Sequence, residues 1–140
     1  MRYILTTICL LGLISGCSSG GRLETAAVTG KVTYQGKPLP YGSISFRPEA
    51  GSPAYAKIKE DGTYSLSTFG NGDGAIVGKH QVLIVATEAD AGVAPANNSG
   101  IEMPVTKSVI PQKYASFSTS KLTAEVISGK SNEFSFTLVD

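Results

Sequence analysis

The chain has no tryptophan, a single histidine, two cysteines and a net charge of only +1 over 140 residues. Each shortage excludes something. With His80 as the sole imidazole, a histidine metal site would need carboxylates for its other ligands, and a Ser-His-acid triad would have to use this one residue. Cys9 and Cys17 both lie at the N-terminus, so the remaining chain has no thiol for redox chemistry, Cys-metal ligation or a disulfide. Acidic and basic side chains are nearly equal in number and scattered, which leaves no footprint for nucleic acid or for an anionic bilayer surface. The apolar run from Tyr3 to Ile14 is too short to span a bilayer.

That run follows a basic start at Arg2 and ends in Leu13-Ile14-Ser15-Gly16-Cys17. The stretch resembles a bacterial lipoprotein signal peptide, with an aliphatic residue three before the cysteine and small residues in between; Ile14 stands where Leu is commoner. The resemblance implies that residues 1–16 are cleaved and that Cys17 becomes the lipidated N-terminus, since a thiol can take a thioether-linked diacylglycerol and small neighbours admit the processing enzymes. Stable anchoring takes about two acyl chains at roughly 0.8 kcal/mol per buried CH2, and a lipoprotein of this kind, palmitate included, meets that requirement. Ser18, in place of the Asp that marks inner-membrane retention, points to the outer membrane, on its periplasmic side or at the cell surface.

Residues 17–27 are small and polar enough to act as a flexible tether. The rest, 28–140, has the length of one domain able to bury a core without a staple. Period-two alternation predicts strands at Val28 to Tyr34 and at Ser43 to Arg47, separated by the turn chemistry of Gln35 to Pro40. Ala54, Ala56 and Ile58 face Tyr64, Leu66 and Thr68 across Glu60-Asp61-Gly62, which predicts a hairpin. Val82 to Ala86 is apolar on both parities and reads as a central strand covered on both faces. Leu122, Ala124 and Val126 pair with Phe134, Phe136 and Leu138 across Ser128 to Asn132 in the same reading. With seven strands and no sustained helical period, the expectation is an all-β, seven-stranded antiparallel β-sandwich.

Within that pattern, Val28-Thr-Gly-Lys-Val-Thr-Tyr-Gln-Gly-Lys-Pro-Leu-Pro, Ile44-Ser-Phe-Arg-Pro, Asp61-Gly-Thr-Tyr-Ser-Leu and Asp73-Gly-Ala-Ile-Val-Gly-Lys-His-Gln-Val follow one another in order. The order resembles the carboxypeptidase regulatory-like domain, whose sandwich is of the transthyretin (prealbumin) type. Ile110-Pro-Gln-Lys-Tyr and the ending Phe134-Ser-Phe-Thr-Leu resemble small bacterial lipoproteins built from this single domain. The resemblance implies an accessory or interaction module of unassigned activity. Transthyretin-like hydroxyisourate hydrolases use several His and Arg residues and a Tyr-Arg-Gly-Ser tail, whereas this chain has only His80 and ends Phe136-Thr-Leu-Val-Asp. Zinc carboxypeptidases carry their chemistry on a separate domain for which no residues remain. No catalytic residue and no cofactor are therefore expected.

The candidate sites are few. His80 shares the parity of Val82 and Ile84, which predicts a partly buried ring filling an aromatic's place. Asn71-Gly72-Asp73-Gly74 offers oxygen ligands, making Asn71 and Asp73 weak metal candidates, yet it lacks EF-hand spacing and suits a tight turn. Phe69-Gly-Asn-Gly is not followed by the Lys-Ser/Thr pair of a phosphate loop, and Asn97-Asn98-Ser99 fits the glycosylation pattern by chance. The segment Thr87 to Gln112 is expected to be a long loop, disordered at its centre. Beyond it, Tyr114 and Phe117 are candidate anchors for a partner, with packing as the competing role. The functional expectation is a lipid-anchored, non-catalytic envelope module that binds a protein or polysaccharide and no nucleic acid; a self-associating structural lipoprotein is the alternative, and a metal-dependent binder or hydrolase a lesser one.

Overall fold

The structure, a computed structural model, describes residues 21–91 and 107–140. The signal segment, Cys17, the start of the tether, Asn97 to Ser99 and the centre of the 87–112 segment lie outside these residues. The described chain is all-β. Its strands are β1 (Thr25–Ala26), β2 (Val28–Tyr34), β3 (Lys37–Pro38), β4 (Ser43–Pro48), β5 (Ala54–Lys57), β6 (Thr63–Ser65), β7 (Ala75–Ile76), β8 (Gly78–Val85), β9 (Leu122–Val126), β10 (Asn132–Glu133) and β11 (Phe136–Leu138). A 3-10 turn, Gln112–Ala115, and one turn of α-helix, α1 (Phe117–Ser120), come before β9. Among the described residues no helix is long and apolar enough to cross a membrane.

Two main sheets face each other. One has the order β5-β4-β8-β9, antiparallel throughout; the other gathers β3, β6, β10 and β11 around β2. Alternation decides what meets between them. Val28 and Val32 of β2, Ile44 and Phe46 of β4, Val82 and Ile84 of β8, Val126 of β9 and Leu138 of β11 all point inward and are almost fully buried. Phe46 is the hinge of this core: its ring lies 6.3 Å from that of Tyr64, 6.0 Å from Phe134, 6.1 Å from Phe136 and 5.7 Å from His80, so one side chain ties both sheets. β8 is central, as its apolar run predicts. Val82 and Ile84 are buried in the core, while Leu83 and Val85 on the other parity are half-buried, with the Gln112–Ala115 turn and α1 packed nearby.

Pairing departs from the expected antiparallel scheme in three places. β10 and β11 run parallel to β2, with Asn132 opposite Val28 and Phe136 opposite Val32. β9 does not form a hairpin with the C-terminal strand, because it continues the other sheet beside β8 while the chain crosses over at Ile127 to Lys130. The Glu60-Asp61-Gly62 turn forms, with Lys59 donating to Thr63 and Gly62 to Lys59, and Tyr55 and Ser67 exchange hydrogen bonds in the expected register. Between those ends its arms part, β5 joining β4 and β6 joining β2. The hairpin therefore bridges the two sheets. The fold also takes in residues expected as tether: Thr25–Ala26 pairs with β7, and Ala26 is buried.

Candidate functional site

At one end of the four-stranded sheet, a cleft of about 840 Å3 is lined by residues 47–49, 79–81, 123–125 and Phe134. Register builds its floor. Arg47 stands opposite Gln81, and Gln81 opposite Thr123, while Lys79 stands opposite Glu125. These residues are exposed because they hold the outward parity of strands whose alternate positions, Phe46, Val82 and Ala124, fill the core. The Arg47 guanidinium is fixed twice, by a hydrogen bond from Nη2 to Gln81 Oε1 and by the Phe117 ring, 4.3 Å from Cζ to centroid. With Glu49 and Glu125 in the lining beside Arg47 and Lys79, the cleft offers both signs of charge beside the amide of Gln81 and the hydroxyl of Thr123. Such a lining suits a neutral or mixed-charge ligand rich in hydrogen-bonding groups.

His80 borders the same cleft from the core side. It is 3% exposed, more deeply buried than the partly buried ring expected of it. Its Nε2–H donates to the carbonyl of Ile76 at 2.6 Å, which fixes the tautomer, and its Nδ1 is buried without a partner. The ring packs on Phe46, the aromatic filling role that its parity predicts.

Tyr114 is not on the surface. It is buried, and its Oη accepts from the Val139 N–H and donates to the Val139 carbonyl, both at 3.0 Å, so it locks the C-terminal segment rather than meeting a partner. An apolar ring next to Pro111 with a backbone pair in reach gains more from packing than from exposure. Phe117, three residues on, is half-buried and reaches the cleft through Arg47.

The Asn71–Asp73 turn is closed on itself. Asn71 takes a left-handed φ of 58°, and the Asp73 carboxylate accepts from the Thr68 N–H at 2.8 Å and the Phe69 N–H at 3.0 Å. Burial raises the affinity of Asp73 for a proton, but the N–H groups of Thr68, Phe69 and Gly70 outweigh it and leave its pKa below the ordinary value. Its oxygens are thus used by backbone donors. Elsewhere, burial raises the Tyr64 hydroxyl well above its usual pKa, with the Glu133 charge adding to the effect; it donates to Phe134 O at 2.6 Å.

The base of the 87–112 segment is pinned as a narrow antiparallel pair. Glu88 donates to Lys107 and Val109 to Ala86, and Asp90 accepts from the Thr87 N–H and hydroxyl. The cleft row of Arg47, Gln81 and Thr123 carries no motif, and only strand register brings the three together.

No family model matches the chain, and neither does any curated protein. A DUF3823 family protein from Parabacteroides merdae, known from a crystal structure, is similar with a TM-score of 0.39 and 16% identity over 84% of this chain. The chain spans 46% of the length of that protein. Likeness at that level carries no function across.

Proposed function

We propose that this chain is a lipid-anchored, non-catalytic interaction module of the bacterial cell envelope, with a sandwich of the carboxypeptidase regulatory-like, transthyretin-like kind. The observation that carries the reading is the lipobox Leu13 to Cys17 only a few residues ahead of Thr25, where the folded domain begins. The fold reading is supported by the placement of the resembling motifs. Val28 to Pro40 makes β2 and the β2–β3 turn, Ile44 to Pro48 makes most of β4, Asp61-Gly62 makes the turn between sheets, and Gly78 to Val82 opens β8. The partner surface is the cleft centred on Arg47, Gln81 and Thr123, and a peptide or polysaccharide of the envelope matches its balanced charge.

The test is in-cell photocrosslinking from position 123, with Cys17→Ala in the same host as comparison. Partners captured by the native chain and lost in the variant support the module. A second reading, self-association, is favoured by β9, which closes the four-stranded sheet with its outer edge unpaired among the described residues. It predicts that the captured species is the chain itself.

A further inference from the structure

Five large apolar side chains are exposed among the described residues, and three of them, Leu23, Phe69 and Ile127, gather at the end where the chain enters the fold. Their neighbourhood follows from contacts. The Arg22 guanidinium lies 4.8 Å from the centroid of Phe69, which places the entering chain on that ring. Leu23 meets Ile76 over Gly51, where an added Cβ would come within 2.6 Å of both side chains. The Glu24 carboxylate accepts from the Ser128 hydroxyl, bringing Ile127 to the same end.

Resting on the anchoring at Cys17 proposed above, we infer that this end is the face the domain turns to its own bilayer, with Leu23, Phe69 and Ile127 entering the interface. The five Cα–Cα steps from Cys17 to Arg22 reach at most about 18 Å, so Arg22 and Phe69 are held close to the headgroup layer. Within that reach, apolar side chains lose water by settling about 5–10 Å into the boundary between headgroups and acyl chains. An aromatic ring under a guanidinium suits this layer, the ring facing the acyl chains and the cation the phosphates. The attraction is apolar rather than coulombic, in keeping with the balanced charge. β2 runs away from this end, and Leu138 pairs with Tyr34 at its far end, so Val139 sits roughly 20 Å off along a strand rising about 3.3 Å per residue. The orientation keeps the Val139 end in solution.

The absence of native tryptophan makes the test direct. Phe69→Trp and Val139→Trp each give a single tryptophan, excited selectively over the tyrosines, in the full lipoprotein, purified from a bacterial host and reconstituted in phosphatidylcholine vesicles with or without brominated acyl chains. The inference predicts severalfold stronger quenching at position 69 than at 139. Vesicle-bound protein with equal quenching at the two positions overturns the orientation and leaves the anchor intact. If the protein fails to float with the vesicles, anchoring and orientation fall together.

Discussion

Gly30 shows where this fold has no room. In the sequence it is one of the inward positions of an alternating strand, a place where pattern alone admits any small apolar residue. In the structure it lies beneath Phe134 and Tyr64: a Cβ added there would stand 1.8 Å from the Phe134 carbonyl oxygen and 2.7 Å from Tyr64 Oη. The oxygen belongs to backbone that cannot swing aside, since the Phe134 N–H donates to Thr29 at 2.9 Å and Phe136 pairs with Val32. To bring the Cβ to ordinary contact near 3.4 Å, Gly30→Ala must displace this segment by about 1.6 Å, which also breaks the Tyr64–Phe134 hydrogen bond. Overpacking costs about 1–3 kcal/mol and the lost bond about 1 kcal/mol, so the expected destabilisation is about 3 kcal/mol. At about 4 °C per kcal/mol for a domain of this size, the melting temperature should fall by about 12 °C. Circular dichroism of thermal unfolding, on the Cys17→Ala background, reads this directly. In a double-mutant cycle, Tyr64→Phe and Gly30→Ala share one contact and should cost together less than their sum, by at least about 0.5 kcal/mol. A Gly30→Ala protein within about 0.5 kcal/mol of its parent refutes the packing argument.

Other perturbations address single residues. His80→Phe keeps the ring on Phe46 and removes the unpartnered Nδ1 while orphaning the Ile76 carbonyl, so denaturant unfolding should place it within about 1 kcal/mol of the parent, whereas His80→Ala should lose about 2–4 kcal/mol. Tyr114→Phe should cost about 1–2 kcal/mol and speed amide exchange at Val139, whose N–H loses its acceptor. Asp73, with its pKa depressed in the fold, contributes stability above its unfolded pKa, and that contribution is lost as pH falls through the folded value. The stability–pH curve of Asp73→Asn should therefore be flatter than the parent's on the acid side, a difference that melting temperatures between pH 6 and pH 2 will show or deny.

Period-two alternation made the strands and much of the core legible in advance, because each strand's apolar parity is a local property. Val28, Val32, Ile44, Phe46, Val82, Ile84 and Val126 are buried as their parity requires. Partner choice is not local. Nothing in Phe134 to Leu138 records that this strand will lie parallel to β2, since the same alternation serves either direction; the choice comes from the crossing at Ile127 to Lys130, secured by the Asn132 side chain on Ile127 and Lys130. The same gap hid the cleft. Arg47, Gln81 and Thr123 read as unremarkable solvent-facing positions until the order β4-β8-β9 sets them in one row. Tyr114 was ambiguous for a related reason, because an aromatic after a long loop anchors a partner or a core equally well by composition, and only the nearby Val139 backbone decides.

The central claim, a folded envelope module held by lipid at Cys17, is tested most directly by intact-mass and N-terminal peptide spectrometry of the protein purified from a bacterial host. The account predicts a mature chain that begins at Cys17 and carries thioether-linked diacylglycerol. A chain that retains residues 1–16, or begins elsewhere with Cys17 as a free thiol, would contradict it.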